Sequence, residues 1–333
     1  MAMNTLAMFR QTGWAAMMVL ACAGACGGSG GASEKAPVFT PVSATSDGDV
    51  HTLQLGDLKM VVDGGRGAHV TEFSLFGTSP LLTRDQSHNA YGSVYWPSPQ
   101  ASWCAAGGGC WPPPPEIDGQ PYTGGIDGAT NSLHLTSAQA SLGGIAGAAI
   151  IVDKQFTPVP EHGAVDITYT LTNSSTTDPV SLAPWQLARV MTGGLTFFGA
   201  GTGDVTYALD SDPAFTVTEA AGNRWYASTP VSHDSKAFSD GAGWLAHATP
   251  DRLLLVTAAA DIQPSDAATG EAEIEVFTNH DYVEIEEQGA LQILAPTAAM
   301  TWTVRWKLRR VPGGTAIAPG DALATFTSSV LAE

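Results

Sequence analysis

Apolar and polar residues alternate along much of this chain. In residues 165–173, Val165, Ile167, Tyr169 and Leu171 fall on one face of an extended segment, and Asp166, Thr168, Thr170 and Thr172 on the other. The same period of two runs through HTLQL, LKMVVD, SLHLTS, AAIIVDKQF, DRLLLVTAA, AEIEVFTN and MTWTVRWKL. These segments are rich in β-branched and aromatic residues and mostly bounded by Gly, Pro, Asn or Asp, so each is predicted as a strand. A sustained helical period is absent. Frequent strands joined by turn chemistry imply an all-β fold of two antiparallel sheets packed face to face, one face of each strand apolar and the other wet or lining a groove. Periodicity alone does not choose among sandwiches and barrels.

Composition agrees with that class. The 333 residues include 37 Gly and 21 Pro, and only 14% are charged, as in an exported β protein with many turns. The length suffices for one large sandwich, and no internal repeat or second linker appears, so a single domain over 38–333 is expected. With 32 acidic against 14 basic residues the net charge is −18. That excess, with no polybasic patch, argues against nucleic acid and an anionic membrane surface as partners.

The N-terminus reads as an export signal. Arg10 precedes an apolar run, AAMMVLACAGAC, too short to span a bilayer, and GGSGGASEKAP follows it. The small residues before Cys26 approximate a bacterial lipoprotein box, and a flexible Gly/Ser tether over 27–37 begins at once after it. Residues 1–26 are therefore expected to be a lipoprotein signal, with Cys26 the lipidated residue and a lipid anchor the chain's link to the membrane. Cys22, preceded by VLA, is the alternative site, and an ordinary secretory signal the alternative segment. Each places the protein outside the cytoplasm, in the cell envelope: the periplasm or the outer membrane.

Two further cysteines, Cys104 and Cys110, flank a glycine-rich turn in CAAGGGC. In an oxidising compartment a disulfide closing this loop is the expected reading. Nearby metal ligands are lacking, as are C-x-x-C spacing and a basic neighbour. The surrounding residues, 91–115, read YGSVYWPSPQASWCAAGGGCWPPPP. Their prolines predict an ordered surface loop rather than a helix or a central strand. Trp96, Trp103 and Trp111 are thus expected near solvent, where indole faces suit the C–H face of a sugar ring, with Gln100 and Ser98 available to its hydroxyls. The alternative is a proline-rich cover over one end of a β core.

The run GSVYWPSPQ, followed by Trp103, WPP and Tyr122 in QPY, resembles the family called domain of unknown function 4380. GGRGAHVTEFSLFG (64–77), PWQLARVMTGGLTFF (184–198) and EIEVFTNHDYVEIEEQGALQILAPTAAMTWTVRWKLRRVP (273–312) extend the resemblance over most of the chain. The Cys104–Cys110 insertion departs from the family pattern by splitting its tryptophan-rich run. The resemblance implies a galactose-mutarotase-like antiparallel β-supersandwich, whose superfamily binds or isomerises carbohydrates.

Candidate chemistry centres on YVEIEEQG. Alternation places Glu284 and Glu286 on one face of a strand, with Val283, Ile285 and Glu287 on the other. In galactose mutarotases a late glutamate is the general base and a histidine the general acid, so the resemblance implies Glu286, or Glu284, as that base. A solvated acidic face is the plain alternative. No histidine completes the pair: Asn279, His280 and Tyr282 in NHDY read as turn residues, and His233 and His247 stand without spaced partners. Arg189 is the better binding candidate. On a strand it shares a face with Trp185 and Leu187 while Gln186 points away, and its planar fork matches a vicinal diol or a carboxylate unless an acidic neighbour takes it. Arg66, in a tight bend at DGGRG, has the same ambiguity. Arg305, Lys307 and Arg309 alternate as a charged outer face with snorkelling stems. The G-x-S-x-G, H-E-x-x-H and calcium-loop templates are absent, and no cofactor or metal ligand set can be named. A two-carboxylate glycosidase stays open, since sequence cannot give carboxylate separations.

The expectation is an envelope lipoprotein that binds a carbohydrate or sugar acid through the tryptophan loop, Arg189 and the Glu284/Glu286 strand. An aldose epimerase with a Glu base and a structural envelope protein without ligand are the alternatives.

Overall fold

The computed structural model describes residues 35–87, 90–104, 110–208, 210–229 and 231–333. The chain divides into two units, Met1–Ala36 and Pro37–Glu333. The expected export segment, with Cys22 and Cys26, and most of the expected tether lie outside the described residues. All the predicted strands are present, and the described residues form twenty-two strands in two antiparallel sheets of eleven. Among the described residues no helix is long and apolar enough to cross a membrane.

The first sheet runs, in spatial order, Val42–Asp47, Val50–Leu55, Leu58–Asp63, His69–Leu75, Ser93–Ser98, Val180–Met191, Tyr282–Gln288, Ile274–Thr278, Ser235–Ser239 and Thr206–Tyr207. The second runs Thr218–Ala220, Asn223–Ala227, Leu195–Gly199, Trp244–Ala248, Leu253–Ala258, Ala299–Arg310, Ala164–Asn173, Ala149–Val159, Ser132–Thr136 and Thr123–Asp127. Gln292–Leu294 pairs with Val180–Met191, and Ala140–Ser141 with Ala149–Val159. Many neighbours are distant in sequence, so these pairings depend on closing long loops.

Alternating positions from the two sheets meet in one core. Val165, Ile167, Tyr169 and Leu171 are buried as the pattern requires. Tyr169 stacks on Tyr95 at 4.5 Å and Phe73 meets Trp306 edge-on at 5.5 Å. Gln186, on the first sheet, accepts from the Tyr169 hydroxyl at 3.0 Å and the Trp306 indole at 2.9 Å. A polar group buried between apolar sheets needs such partners, and this one ties the two sheets together.

Three sequence expectations are corrected. Residues 93–98 form a fully buried strand inside the first sheet, not a surface loop. Pro97 lies directly opposite Pro184 on Val180–Met191. Two prolines can face each other only at a pair that exchanges no hydrogen bonds, and their outward edges fall where the next strands make no ladder: Ser93–Ser98 pairs with His69–Leu75 only at Ser93, and pairing with Tyr282–Gln288 begins at Trp185. Trp96 and Trp103 are buried with it, at 3% and 6% exposure, whereas Trp111 is 60% exposed.

The second correction is a helix, Asp321–Ala332, which buries Leu323, Thr327 and Val330 against the outer face of the second sheet. Its i, i+4, i+7 spacing was present in the sequence but spans only three turns. The third follows from it: Lys307 and Arg309 are not an open charged face. Lys307 donates to the Val330 carbonyl at 2.7 Å and Arg309 to the Glu333 carboxylate at 2.6 Å, so both complete the helix's C-terminal end. Arg305 makes a two-pronged pair with Asp166, at 2.7 and 2.8 Å.

Candidate functional site

Alternation also decides what the first sheet shows on its other face. Antiparallel register sets Trp96 opposite Trp185, Arg189 opposite Glu284, Glu284 opposite Phe277, Glu286 opposite Glu275, and Phe277 opposite Lys236. Residues from five neighbouring strands, an even number apart where one strand gives more than one, therefore converge on one patch. Over it lies a cavity of about 620 Å³, within the usual range for small-molecule sites. Trp96, Trp185, Phe277 and Tyr282 give it aromatic walls; Arg189, Lys236 and Glu284 charge its floor; Gln100, Trp111, Asp210 and Asp234 stand around it.

The tryptophans pack as a set around Trp96. Trp103, Trp111 and Trp185 each meet it edge-on, with centroids at 5.5, 5.3 and 5.2 Å, and Trp103 stacks on Trp185 at 5.8 Å. Buried indole N–H groups require acceptors, and the three buried ones of this set each have one. Trp96 donates to Asp118 at 2.8 Å, Trp103 to the Pro97 carbonyl at 2.7 Å, and Trp185 to Glu286 at 2.9 Å. Trp103 thus stands behind the cavity wall. Cys104 and Cys110 are bonded, with Cα atoms 4.0 Å apart, immediately before Trp111. The expected disulfide is present, and it anchors the loop that carries the one exposed indole of the set.

Each cation of the floor is already paired. Arg189 binds Glu284 at 2.7 Å and lies 5.5 Å from the Trp96 ring centroid. Lys236 binds Glu275 at 2.5 Å and Glu286 at 3.1 Å, and lies 4.9 Å from the Trp185 ring. Burial works against charge on Lys236, but the Glu286 and Glu275 carboxylates outweigh it and raise the ammonium above its ordinary pKa. Burial pushes both glutamates above the usual carboxylate range, with Lys236 opposing. Glu275 also accepts from Gln288 and from the Ala272 amide, each at 2.9 Å. Burial raises Tyr282 to about 12, so its hydroxyl is a hydrogen-bonding group at neutral pH.

Of the residues singled out from sequence, Trp96, Gln100, Trp111, Trp185, Arg189 and Glu284 line the cavity. Glu286 lies beneath its floor, 1% exposed and held by Trp185 and Lys236. Tyr122 and Arg66 lie elsewhere. Tyr122 is buried with its hydroxyl on the Ile117 carbonyl at 2.9 Å and its ring 5.3 Å from Lys154. Lys154 is a buried lysine that desolvation lowers to about 7. Arg66 borders a separate surface depression with Asp49, Asp63 and Arg84, its guanidinium 5.4 Å from the Tyr91 ring.

The histidines divide as turn and core residues. Asn279 accepts from the Asp281 and Tyr282 amides at 2.9 and 3.0 Å, and His280 is exposed. His233 is exposed beside Ser232. His247 is buried on the second sheet, bonded to Thr196 at 2.9 Å and lowered to about 3 by burial. Among the described residues no group of three His, Cys, Asp or Glu side chains is arranged to hold a metal.

Sequence reasoning missed Lys236, Glu275, Phe277, Asp210 and Asp234, and read Tyr282 only as part of a turn. Lys236 carried a signal: it is one of five lysines, and it alternates with apolar Ala237 in SKAF. Lysines scarce enough to be counted, on a half-buried strand, are paired.

No family model matches the chain, so the resemblance to domain of unknown function 4380 is not confirmed, and no curated protein matches it. Solved structures do. A putative aldose 1-epimerase from Escherichia coli K12 is 12% identical, with a TM-score of 0.51, over 81% of this chain and 99% of that one. A galactose mutarotase-like protein from Clostridium acetobutylicum is 10% identical, with a TM-score of 0.51, over 81% of this chain and 98% of that one. A TPR-domain containing protein from Parabacteroides distasonis is 13% identical, with a TM-score of 0.52, over 83% of this chain and 48% of that one. At such identities the likeness is one of fold: two antiparallel sheets in the galactose-mutarotase-like β-sandwich arrangement.

Proposed function

We propose that this protein is an exported, lipid-anchored carbohydrate-binding protein whose site is the cavity on the first sheet. One observation carries the reading: a cavity of about 620 Å³ whose walls are tryptophan and tyrosine and whose floor is charged and fully paired. Aromatic faces take the apolar face of a pyranose, and fixed side-chain donors and acceptors around them take hydroxyls. Gln100, Tyr282 and the outward edges of the Arg189–Glu284 and Lys236 pairs supply the polar groups. Because those pairs are tied across strands, the polar groups are held in place before a ligand arrives, which lowers the ordering cost of binding. The fold of the similar structures supports a sugar as the ligand, and the N-terminal sequence supports the envelope.

A second reading, an aldose epimerase, is favoured by Glu284, the one carboxylate of the predicted pair that reaches the cavity. A base there needs an acid across the same sugar ring. The full-length protein in a thermal-shift screen against mono- and disaccharides decides the first question, since a ligand of the native state raises Tm by an amount that grows with its concentration relative to its dissociation constant. A saccharide that raises Tm and whose optical rotation the protein leaves unchanged supports binding. Accelerated mutarotation lost in Glu284→Gln supports the epimerase, and no shift with any saccharide rejects both.

A further inference from the structure

Resting on that reading, the charge arrangement names a class of sugar: we infer that the cavity selects an amine-bearing saccharide, a hexosamine with a free ammonium, over neutral sugars and over sugar acids. The two floor cations offer a ligand carboxylate little. Arg189 is committed to Glu284, and Lys236 lies between two carboxylates, so its charge is balanced even with a proton on one of them. Two further acids, Asp210 and Asp234, line the cavity and are exposed. Among the described residues neither has a cationic partner. The lining therefore carries excess negative charge, within a protein of net charge −18. A sugar acid entering it meets like charge, and an ammonium meets the opposite.

The aromatic walls point the same way. Cations already lie over two of the tryptophans, Arg189 over Trp96 and Lys236 over Trp185. Trp111 borders the same cavity and is 60% exposed, with its ring packed edge-on to Trp96. Among the described residues it has no cation over it. An exposed indole and two unpaired carboxylates around one cavity form a complementary set for a hydrophobic ring that bears a positive charge. Each such contact is modest at an exposed site, but both discriminate in the same direction.

The test is calorimetric titration of the full-length protein at slightly acidic pH and low salt, with four probes: the β-1,4 disaccharide of glucosamine, its N-acetylated form, cellobiose and glucuronic acid. The glucosamine disaccharide is expected to bind at least ~10-fold tighter than cellobiose, with the gap closing as salt screens exposed charges. Asp210→Asn with Asp234→Asn, both at exposed positions, should close most of the gap between the glucosamine disaccharide and cellobiose, and an undiminished gap in this variant overturns the inference. Equal or tighter binding of cellobiose, the acetylated form or glucuronic acid by the unmodified protein overturns the inference and leaves the carbohydrate-binding reading standing. No binding of any probe overturns both.

Discussion

The Trp185 indole donates to Glu286 at 2.9 Å, and the Lys236 ammonium that binds the same carboxylate oxygen lies 4.9 Å from that indole's ring. An aromatic wall of the cavity is thus joined to a buried ion cluster. Lys236→Met leaves Glu275 and Glu286 buried without their counter-charge, which should cost about 3–5 kcal/mol near neutral pH. Both carboxylates then have folded pKa values above their unfolded ones, so the loss is smallest in acid, where both states are protonated, and grows as pH rises. Denaturant melts at acidic and alkaline pH should show that widening gap. Lys236→Met combined with Glu275→Gln and Glu286→Gln should recover most of the stability.

Trp111 and Trp96 should separate binding from folding. Trp111 is 60% exposed and Trp96 is 3% exposed at the centre of the tryptophan set. Trp111→Ala is expected to weaken saccharide binding by ~10-fold or more with Tm nearly unchanged. Trp96→Ala removes a buried indole and leaves Asp118 with His69 as its side-chain partner, and should destabilise by about 3–5 kcal/mol. Calorimetric titration and thermal melts of the two variants check this, and a large fall in Tm for Trp111→Ala would count against its role as an open wall.

Glu287 gives the fold its own pH dependence. It points into the core between the sheets, 3% exposed, and burial raises it to about 8. The folded state therefore holds a proton that the unfolded chain releases above its ordinary carboxylate pKa. The sign is then negative: between the unfolded value and about 8, stability falls by at most ~1.4 kcal/mol per pH unit from this group, levelling off above it. Glu287→Gln should remove that contribution, so that the variant overtakes the parent as pH rises. Urea melts across the range measure the difference between the two, which separates Glu287 from the other buried glutamates.

Cys26 is expected to carry the lipid. Expressed in a bacterium, the full chain should take up labelled palmitate and partition into detergent; Cys26→Ser should abolish both, and Cys22→Ser should not. Labelling lost only in Cys22→Ser would move the cleavage site to that cysteine.

The class of fold and the two faces of each strand could be read from the chain alone. Period-two alternation is a local property, so Tyr169 could be assigned to the core side with Val165, Ile167 and Leu171, and Gln186 to the face opposite Arg189, although which of those two faces is the core was not in the pattern. The same alternation placed Glu286 with Glu284. It could not say that a lysine from Ser235–Ser239 would cover one of them and leave the other open, because that depends on which strands, far apart in sequence, become neighbours in the sheet. The proline-rich run shows the same limit. Local rules make Pro97 a loop residue, and only its pairing with Pro184, at a position needing no hydrogen bonds and beside a gap in the next ladder, allows it inside a sheet. Asp210 and Asp234, too, become one feature only when turns at the sheet's far edge fold beside the strands that carry Trp96 and Trp185. Tertiary structure decided these points because a site assembled from long-range pairings leaves no spacing in the chain to read.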